Sequence, residues 1–534
     1  MPRIEFANIE DRLISSLLPA QADRNPDLPW ILRGNEQYTF GQSNDLVDAY
    51  AAGFKDLGIR QGDIVALMLE SSVEYVFFML ALTKIGAVQL VVNTNYKGEF
   101  LRRFFDHAQP RSLVVGGEYC HRVAEVLGEA TAIEVVVVHG EPNESLDIKT
   151  VIASTDILYQ GESCEAAPMS HGDTMTIMYT SGTTGPSKGV LLSHNYWFLG
   201  SEAMAEARGV KDDDVFYSCT PLFHAGAWSL NIYPALIYGR PVGLDPTFSP
   251  KTFLSRVRHY GATQVFTIGA MHMWLWAQDN EPGDRETPVR VWSPIPLPDY
   301  LWEPFKDRYG LEAVFSAYGQ TEAQPQTMAS PSQPNKPGSA GWAQPNLEIQ
   351  IFDDRDLPVL PNVVGEIVLR PKTPYSMFSG YHRDPEATLA AFANLWYHTG
   401  DLGRLDEDGE LFFVDRKQDY LRRRGENISS FEVEAVVISH RAVAQAAVHG
   451  VPCEFSEDDV KVCVVLGEGE ELTELELAEY LGENLPHFVV PRYIEIMGEL
   501  PVTPTGRVQK HRLRARGVTT QTWDATAAGW APRR

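Results

Sequence analysis

The residues best suited to chemistry lie in the stretch 179–190, which reads Tyr-Thr-Ser-Gly-Thr-Thr-Gly-Pro-Ser-Lys-Gly-Val. Glycine lets a backbone approach a ligand closely, and hydroxyl groups can donate hydrogen bonds to phosphate oxygens. Lys188 adds a compact positive charge on a flexible stem, which suits a β- or γ-phosphate. The stretch therefore has the residue types of a polyphosphate-binding loop.

The order Ser187-Lys188-Gly189 differs from the GK[ST] order of a Walker A loop. A polar linker is the alternative, but a linker needs neither the lysine nor the apolar residues that flank the stretch on both sides. We therefore predict a strand, a phosphate-binding loop and a second strand. Besides Lys188, the residues predicted to contact the ligand are Thr180, Ser181, Gly182, Thr183, Thr184 and Gly185.

The elements around this loop predict an α/β fold. Apolar runs such as 64–68 and 87–92 alternate with helical patterns such as 43–57, which is typical of βαβ units with a parallel sheet. A helix is predicted over 9–18, ended by Pro19. From about 341 the pattern changes to short strands with Gly, Pro and Asp turns, and the last hundred residues read as a compact α+β domain. We predict a large N-terminal domain over 1–416 with βαβ-type sheets and a β-rich subdomain at about 341–416, then a small C-terminal domain over 417–534 with a loosely held tail from about 519.

Composition excludes several classes of protein. A chain of 534 residues is too long for one ordinary core, and a net charge of −26 is unsuited to binding a nucleic-acid backbone over a broad surface. The five cysteines show no CxxC spacing, which argues against a disulfide scaffold or a zinc site. The N-terminus lacks a signal-peptide pattern, and the most apolar run, 76–82, is too short to span a membrane. We expect a soluble cytoplasmic protein with no nucleic-acid partner and no membrane span.

Three further motifs follow the loop in order: Tyr318-Gly319-Gln320-Thr321-Glu322, then Tyr-His-Thr-Gly-Asp-Leu-Gly at 397–403, then Asp-Arg-Lys-Gln-Asp at 415–419. The four motifs together resemble the adenylate-forming superfamily of acyl-CoA synthetases, luciferases and peptide-synthetase adenylation domains, and most of all bacterial-type acyl-CoA ligases. One motif would be weak, whereas four in this order span nearly the whole chain. The resemblance implies a reaction of a carboxylic acid with ATP to give acyl-AMP and pyrophosphate.

The resemblance also implies a role for each motif. Lys188 would hold the outer phosphates, while Thr183 and Glu322 would hold Mg²⁺, a cation that prefers oxygen ligands. Tyr318 offers a flat face to adenine, and Asp401 and Arg416 would bind the ribose. Alone, the Thr-Gly-Asp and Asp-Arg sequences could be surface turns with an ion pair. The remaining nucleotide-binding residues implied are Gly319, Gln320 and Thr321.

In the family the C-terminal domain rotates about a residue two positions after the arginine of the fourth motif, which is Gln418 here. The segment 421–429 resembles a loop that reaches the active site in the second half-reaction, and its arginines could guide the phosphates of CoA. Arg422 and Gly425 are its predicted cofactor-binding residues. The adenylation lysine normally follows the glycine of the closing motif, where this chain has Arg507. Arginine keeps the positive charge with a different geometry, and Lys510 is a possible substitute.

The family's acyl pocket corresponds to 224–228, 266–271 and 315–319, which are largely apolar and aromatic. No aspartate follows the strand at 215–219, so an amino acid's ammonium group would be unpaired there. His224 could gate the CoA channel or shape the pocket. A second departure, Ser293-Pro294-Ile295 in place of Gly-Gly-Ala, affects contacts with adenine and the width of the channel.

We therefore predict an ATP-dependent carboxylic acid–CoA ligase, with Mg²⁺ as cofactor and CoA as substrate, acting on a fatty, aromatic or carnitine-like acid. A monomer or homodimer is expected. Two alternatives remain open: a standalone adenylation enzyme that loads a carrier protein, and a nucleotide-binding protein with weakened catalysis.

Overall fold

The computed structural model describes residues 3–532 except 128–131, 160, 162, 181–186, 330–332, 418, 420, 424–425, 454–457, 488 and 504–506. Its described residues form two compact units. Unit 1 comprises the chain up to Thr180, then Ser187–Glu348 and Arg370–Phe392; unit 2 comprises Ile349–Leu369 and the chain from Ala393 onward. The predicted domain boundary after residue 416 marks where the domain over 417–534 is expected to rotate, and this boundary stays a prediction.

The α-helices are short to medium in length, and none in the described part of the chain combines the length and apolar character needed to cross a bilayer. They are α1 Ile14–Arg24, α2 Phe40–Asp56, α3 Val73–Lys84, α4 Gly98–Ala108, α5 Cys120–Leu127, α6 His194–Ala207, α7 Ala225–Ala227, α8 Tyr233–Tyr238, α9 Phe253–Tyr260, α10 Ala270–Trp276, α11 Trp302–Tyr309, α12 Pro385–Ala391, α13 Ser430–Ile438, α14 Glu474–Asn484 and α15 Lys510–Arg516. A π-helix at Trp228–Ile232 joins α7 to α8.

The strands of unit 1 and of the β-rich segment are β1 Pro29–Arg33, β2 Glu36–Thr39, β3 Ile64–Met68, β4 Val88–Val91, β5 Ser112–Gly116, β6 Val135–His139, β7 Thr150–Ala153, β8 Thr174–Thr180, β9 Lys188–Ser193, β10 Phe216–Ser218, β11 Val242–Leu244, β12 Gln264–Ile268, β13 Val291–Ile295, β14 Ala313–Val314, β15 Tyr318–Gln320, β16 Ala323–Met328, β17 Trp342–Ala343, β18 Leu347–Phe352, β19 Gly365–Pro371, β20 Phe392–Ala393, β21 Trp396–Leu405 and β22 Leu411–Arg416. The later strands are β23 Leu421–Arg423, β24 Glu426–Ile428, β25 Val443–Pro452, β26 Asp458–Leu466, β27 Tyr493–Ile496 and β28 Trp523–Asp524.

Unit 1 contains two seven-stranded sheets, in the orders β7-β6-β5-β3-β4-β8-β9 and β14-β13-β12-β10-β11-β1-β2. All neighbours are parallel except the edge pairs β8–β9 and β1–β2. Local sequence starts the connecting helices: Thr39 and Gln42 form a capping box for α2, and Ser72 caps α3. Every residue of α3 except Glu74 is buried, because the helix lies within the core. The predicted α/β fold is confirmed.

The first helix differs from the prediction. It begins at Ile14 and continues through Pro19 to Arg24. Proline costs a backbone hydrogen bond inside a helix. Leu17 and Leu18 are buried, and the amide of Gln21 donates to the carbonyl oxygen of Leu236 at 2.8 Å, so tertiary contacts hold the helix on both sides of Pro19.

Unit 2 contains an antiparallel sheet around β21 and a four-stranded sheet in the order β25-β26-β27-β28. The last strand, β28, belongs to the tail from residue 519, which was predicted to be loosely held and is instead paired with β27. Asp524 of β28 accepts two hydrogen bonds from Arg492, and Ala525 is buried. The ammonium group of Lys461 donates to the Gly517 carbonyl at 2.7 Å and to the Thr522 hydroxyl at 3.0 Å, so a buried charge also fixes the tail.

Candidate functional site

The β8–β9 hairpin positions Lys188. Lys188 is the first residue of β9 and lies opposite Thr180, the last residue of β8, in an antiparallel register. Because β8 runs parallel to β4, the chain leaves β8 at the sheet edge where strand carboxyl ends meet, the usual place for ligands in α/β proteins. The predicted loop residues Ser181, Gly182, Thr183, Thr184 and Gly185 lie outside the described residues.

Tyr381 links Lys188 to Glu322. The ammonium nitrogen of Lys188 lies 4.8 Å from the centroid of the Tyr381 ring, and the Tyr381 hydroxyl donates to Oε1 of Glu322 at 3.0 Å. Tyr381 is not among the residues predicted from the sequence. Its local signal, an aromatic residue after a glycine, is too common to single out, and its role depends on a bridge between Tyr381 and Val190 of β9.

Glu322 is buried at 8% exposure, and hydrogen bonds to the backbone carbonyl groups of Glu322 and of the preceding residue fix its position. Its carbonyl accepts from the Phe378 amide at 2.8 Å, and the carbonyl of Thr321 accepts from the Tyr196 hydroxyl at 2.8 Å. A carboxylate oxygen in a fixed position fits Mg²⁺, which commonly takes one or two protein carboxylates together with phosphate oxygens and water.

Tyr318 begins β15, and its amide donates to the Thr327 hydroxyl at 3.2 Å. The Tyr318 side chain is buried at 8% exposure, whereas Gly319 is exposed and Gln320 is partly exposed. The antiparallel pairing of β15 with β16 thus holds the second motif as a rigid hairpin, with Glu322 in its turn.

Two of the predicted pocket segments and the Ser293–Ile295 departure lie on or after neighbouring parallel strands. The turn at His224 follows β10, the segment 266–271 runs from β12 into α10, and Ser293–Ile295 ends β13; these strands lie side by side. The third predicted pocket segment, 315–319, runs from the end of β14 into β15. The imidazole Nδ1 of His224 accepts from the Gly226 amide at 3.1 Å. A Cβ at Gly226 would lie 3.0 Å from the Phe266 ring, so a larger residue there would require the ring to shift by a few tenths of an ångström.

Met271, one of the predicted pocket residues, packs in a different buried group. Phe266 and Phe315, two others, belong to one buried group of side chains, here called the apolar cluster. Its members are Met204, Ala207, Leu230, Phe266, Val291, Phe315 and Ala329. Pro294 fits in β13 because β14 pairs only with Val291 and Trp292, so the missing donor removes no bond to that strand. The hydroxyl of Ser293 is buried and has no hydrogen-bond partner among the residues the structure describes.

In unit 2, Asp401 and Arg416 are cross-strand partners of β21 and β22. Asp401 is buried at 7% exposure, and its amide donates to the Thr399 hydroxyl at 3.1 Å. The amide of Arg416 donates to Oδ1 of Asp415 at 2.7 Å. Two residues that the sequence assigned to the same sugar are therefore adjacent.

The structure distinguishes the two cationic candidates of the closing motif. The Lys510 ammonium donates to the Ser430 hydroxyl at 2.5 Å and lies 2.8 Å from Oε1 of Glu434. Burial raises the pKa of Glu434, although Lys510 opposes the rise. Arg507 is exposed, and its backbone amide donates to the Thr503 hydroxyl at 3.1 Å. Lys510 is thus held by Ser430 and Glu434 within unit 2.

Two residues of the arginine run at 422–424 lie on β23. Arg422 lies on β23, paired with Asn427 of β24. The guanidinium of Arg423 lies 3.0 Å from Oδ1 of Asp459 and donates to the Val490 carbonyl at 2.9 Å, so it stabilises unit 2. Gln418 and Gly425 lie outside the described residues.

Comparison with known proteins gives a consistent result. Residues 18–382 match the model of the AMP-binding enzyme family, and residues 432–507 match that of the AMP-binding enzyme C-terminal domain. The chain is 30% identical over 483 residues to a crotonobetaine/carnitine–CoA ligase of Salmonella paratyphi A, covering 90% of this chain and 93% of that protein.

Similar solved structures include ATP-bound MatB from Rhodopseudomonas palustris, with a TM-score of 0.80, 25% identity and coverage of 94% of this chain and 98% of that one. The o-succinylbenzoate CoA synthetase MenE from Bacillus subtilis, in complex with ATP and magnesium, gives a TM-score of 0.77, 25% identity and coverage of 93% and 98%.

Proposed function

Because the chain belongs to the AMP-binding enzyme family, we propose that it is an AMP-forming acyl-CoA ligase for an acid with an apolar body. The observation that supports this most is the fixed Lys188–Tyr381–Glu322 group beside the open end of the β8–β9 hairpin. The similar proteins named above include a crotonobetaine/carnitine–CoA ligase and an o-succinylbenzoate CoA synthetase, which supports CoA as the acceptor.

In the first step the carboxylate of the acid attacks the α-phosphorus of ATP. The new bond gives acyl-AMP, and the bond to the β-phosphate breaks to release pyrophosphate. Lys188 neutralises charge on the outer phosphates, and Tyr318 forms part of the adenine site. Glu322 would hold Mg²⁺ together with a hydroxyl of the 181–186 loop; the bound ion would offset the negative charge of the phosphates.

We assign Asp401 to the ribose hydroxyls and Arg416 to the same sugar, because they are neighbours on paired strands. Arg507 supplies the positive charge near the reacting carboxylate. An arginine can bridge carboxylate and phosphate oxygens with its planar fork.

In the second step the CoA thiol attacks the acyl carbonyl, loses its proton, and displaces AMP. We propose that the domain over 417–534 rotates about Gln418 between the two steps, and that Arg422 and Gly425 then face CoA. His224 lies in the turn between β10 and α7, and we assign it to the route of the pantetheine arm.

The apolar cluster supports an acid with an apolar body. Phe266, Phe315 and Leu230 are all buried. Phe266 lies in β12, Phe315 directly follows β14, and Leu230 lies in the π-helix between α7 and α8. A mostly apolar pocket with few polar groups binds such a ligand through burial of apolar surface.

The proposal is tested by pyrophosphate release with a panel of acids, with and without CoA. Acid-dependent release followed by a CoA thioester supports it. Pyrophosphate release that never leads to a thioester, but leads to acylation of an added carrier protein, would replace it with carrier loading. ATP binding without turnover on any acid would favour a nucleotide-binding protein.

We also propose a cytoplasmic location and a monomeric or homodimeric state. The five cysteines are free, as is typical of a reducing compartment. Light scattering of the purified protein would establish the oligomeric state.

A further inference from the structure

Tyr179 lies at the end of β8, opposite the residue that follows Lys188. It precedes Thr180, the last residue of β8, and its cross-strand partner is Gly189 of β9. A Cβ at Gly189 would lie 2.8 Å from Cε2 of Tyr179, so the tyrosine ring lies directly against the backbone of Gly189. The ring therefore supports β9 at the position next to Lys188.

Helix α4 fixes the Tyr179 ring with two side chains. The centroid of the Phe104 ring lies 4.5 Å from that of the Tyr179 ring, and Nδ1 of His107 lies 2.6 Å from the Tyr179 hydroxyl oxygen. Burial raises the pKa of Tyr179, so its hydroxyl keeps the proton at neutral pH and can donate it to Nδ1 of His107. A ring contact and a hydrogen bond thus connect α4 with β8.

The end of the same helix is also connected with β9. The carbonyl of Gly189 accepts from the His382 amide at 2.6 Å, and Nε2 of His382 lies 3.2 Å from the carbonyl oxygen of Ala108, the last residue of α4. Burial lowers the pKa of His382, so its imidazole is neutral at neutral pH and donates its Nε2 proton to that carbonyl. Helix α4 therefore reaches Gly189 by two routes, through Tyr179 and through His382.

Lys188 projects from the opposite face of the hairpin. Successive residues of a strand point to opposite faces of a sheet, and the Tyr179 ring beside Gly189 faces α4. The side chain of Lys188 therefore points away from α4, where its ammonium nitrogen lies 4.8 Å from the centroid of Tyr381, the residue before His382. The contacts with α4 support this pair from behind.

The bond made by His107 differs from those of the other charged or polar side chains on α4. Arg102 and Arg103 pair with Glu99 of the same helix. His107 is exposed, and its imidazole reaches across to a strand 72 positions later in the chain. Because exposed side chains contribute little to stability, its removal should leave the fold intact and change mainly the support of the hairpin.

We propose that Tyr179 and His107 are positioning residues for adenylation, which hold the β8–β9 hairpin so that Lys188 meets the outer phosphates of ATP. This inference rests on the proposed function, which assigns Lys188 to those phosphates. Both residues act through the backbone of Gly189 and take no part in the bonds that form or break. Their effect is therefore selective: ATP binding depends on them, whereas binding of AMP, which has no β- or γ-phosphate, does not.

The test compares the dissociation constants of MgATP and AMP by isothermal titration calorimetry of the full-length protein. We expect Tyr179→Phe and His107→Ala each to weaken MgATP binding by about 3- to 10-fold, the effect of one hydrogen bond, and to leave AMP binding unchanged. The double variant should lose no more than either single variant, because both exchanges remove the same bond. In a Lys188→Ala protein, Tyr179→Phe should have no further effect on MgATP binding.

His121→Ala is the matched control. His121 is an exposed histidine of the neighbouring helix α5, and its Nδ1 lies 2.8 Å from the side-chain nitrogen of Asn143. Its replacement should leave both dissociation constants unchanged. In pyrophosphate release, Tyr179→Phe and His107→Ala should raise KM for MgATP, and thioester formation from preformed acyl-AMP should keep its kcat.

Equal weakening of MgATP and AMP binding would show a general structural role and overturn the inference, as would no change in either constant. An effect of Tyr179→Phe that persists in the Lys188→Ala protein would also overturn it, because the tyrosine would then act by another route. The binding assay needs neither an acid nor turnover, so its result is separate from that of the proposed function. If no acid supports pyrophosphate release, the proposed function fails, and a selective loss of MgATP affinity would still support the positioning of Lys188.

Discussion

Replacing Tyr381 by phenylalanine removes one hydroxyl and leaves the ring in place. The lost bond joins Oη of Tyr381 to Oε1 of Glu322 at 3.0 Å, between side chains that are both more than nine-tenths buried. A hydrogen bond to a charged group contributes about 1.5–3 kcal/mol. The contact of the ring with Lys188 is unaffected, so the variant isolates the orientation of Glu322.

If Glu322 holds the metal only in the orientation that Tyr381 imposes, the full value of this bond is lost from the adenylation step. Tenfold in rate corresponds to about 1.4 kcal/mol, so kcat/KM for MgATP in pyrophosphate release should fall by roughly 10- to 150-fold. Thioester formation from preformed acyl-AMP needs no pyrophosphate leaving group and should change little. Tyr381→Leu removes the ring as well and should lower adenylation further.

Tyr375→Phe is the control, since Tyr375 is 45% exposed and lies only six residues away. It makes the same chemical exchange and should leave both half-reactions unchanged. Thermal unfolding of each variant shows whether a loss of activity reflects a loss of fold. A Tyr381→Phe enzyme with adenylation within twofold of the control would refute the orienting role.

Lys188→Ala should impair pyrophosphate formation and spare thioester formation from acyl-AMP; an equal loss of both half-reactions would show that the loop only supports the fold. Arg507→Ala should abolish adenylation with little change in stability. Lys510→Met leaves Glu434 without its partner, so it should lower the free energy of unfolding by about 2–3 kcal/mol. If activity and denaturation assays show the opposite pattern, the roles assigned to Arg507 and Lys510 are reversed. Burial lowers the pKa of three histidines to about 4, whereas a histidine of the unfolded chain has a pKa near 6.5. As the pH falls, the unfolded chain therefore binds protons before the folded protein does. Each histidine's contribution to the free energy of unfolding is present above pH 6.5 and is lost as the pH falls toward 4, by roughly 2 kcal/mol at pH 5. The three histidines are His194, His272 and His449, and an unfolding temperature that is the same at pH 5 and pH 7 would contradict their role.

The features that depend on local pattern could be predicted from the sequence. Alternating strands and helices indicated the parallel sheets, and the glycine-rich stretch indicated two strands joined by a loop. Lys188 was expected in the loop and is the first residue of the second strand. The resemblance assigned Asp401 and Arg416 to the same sugar, but the register that pairs them across two strands, fifteen positions apart, could not be read from the motifs.

Features that depend on distant parts of the chain could not be predicted. Tyr381 reaches Lys188 because the chain near Gly380 pairs with β9, nearly two hundred residues earlier. Pro19 stays inside α1 because Leu17, Leu18 and Gln21 are held by other elements, a case in which packing outweighs local preference.

The burial of Arg208 is another feature that depends on distant parts of the chain and could not be predicted from the sequence. In the sequence it stands before Gly209 at the end of a helical pattern, where a positively charged residue is typically an exposed partner of the helix terminus. Only the packing of α6 against the π-helix shows that Arg208 is buried and that part of its guanidinium lacks a partner.

The pairing of β28 with β27 has a consequence for association between molecules. Without β28, β27 would be an open edge of the C-terminal sheet. An unpaired edge is a template for joining other chains. Trp523 and Asp524 pair with Ile494 and Tyr493, and Arg492 binds Asp524, so removal of the tail should expose this edge and promote aggregation.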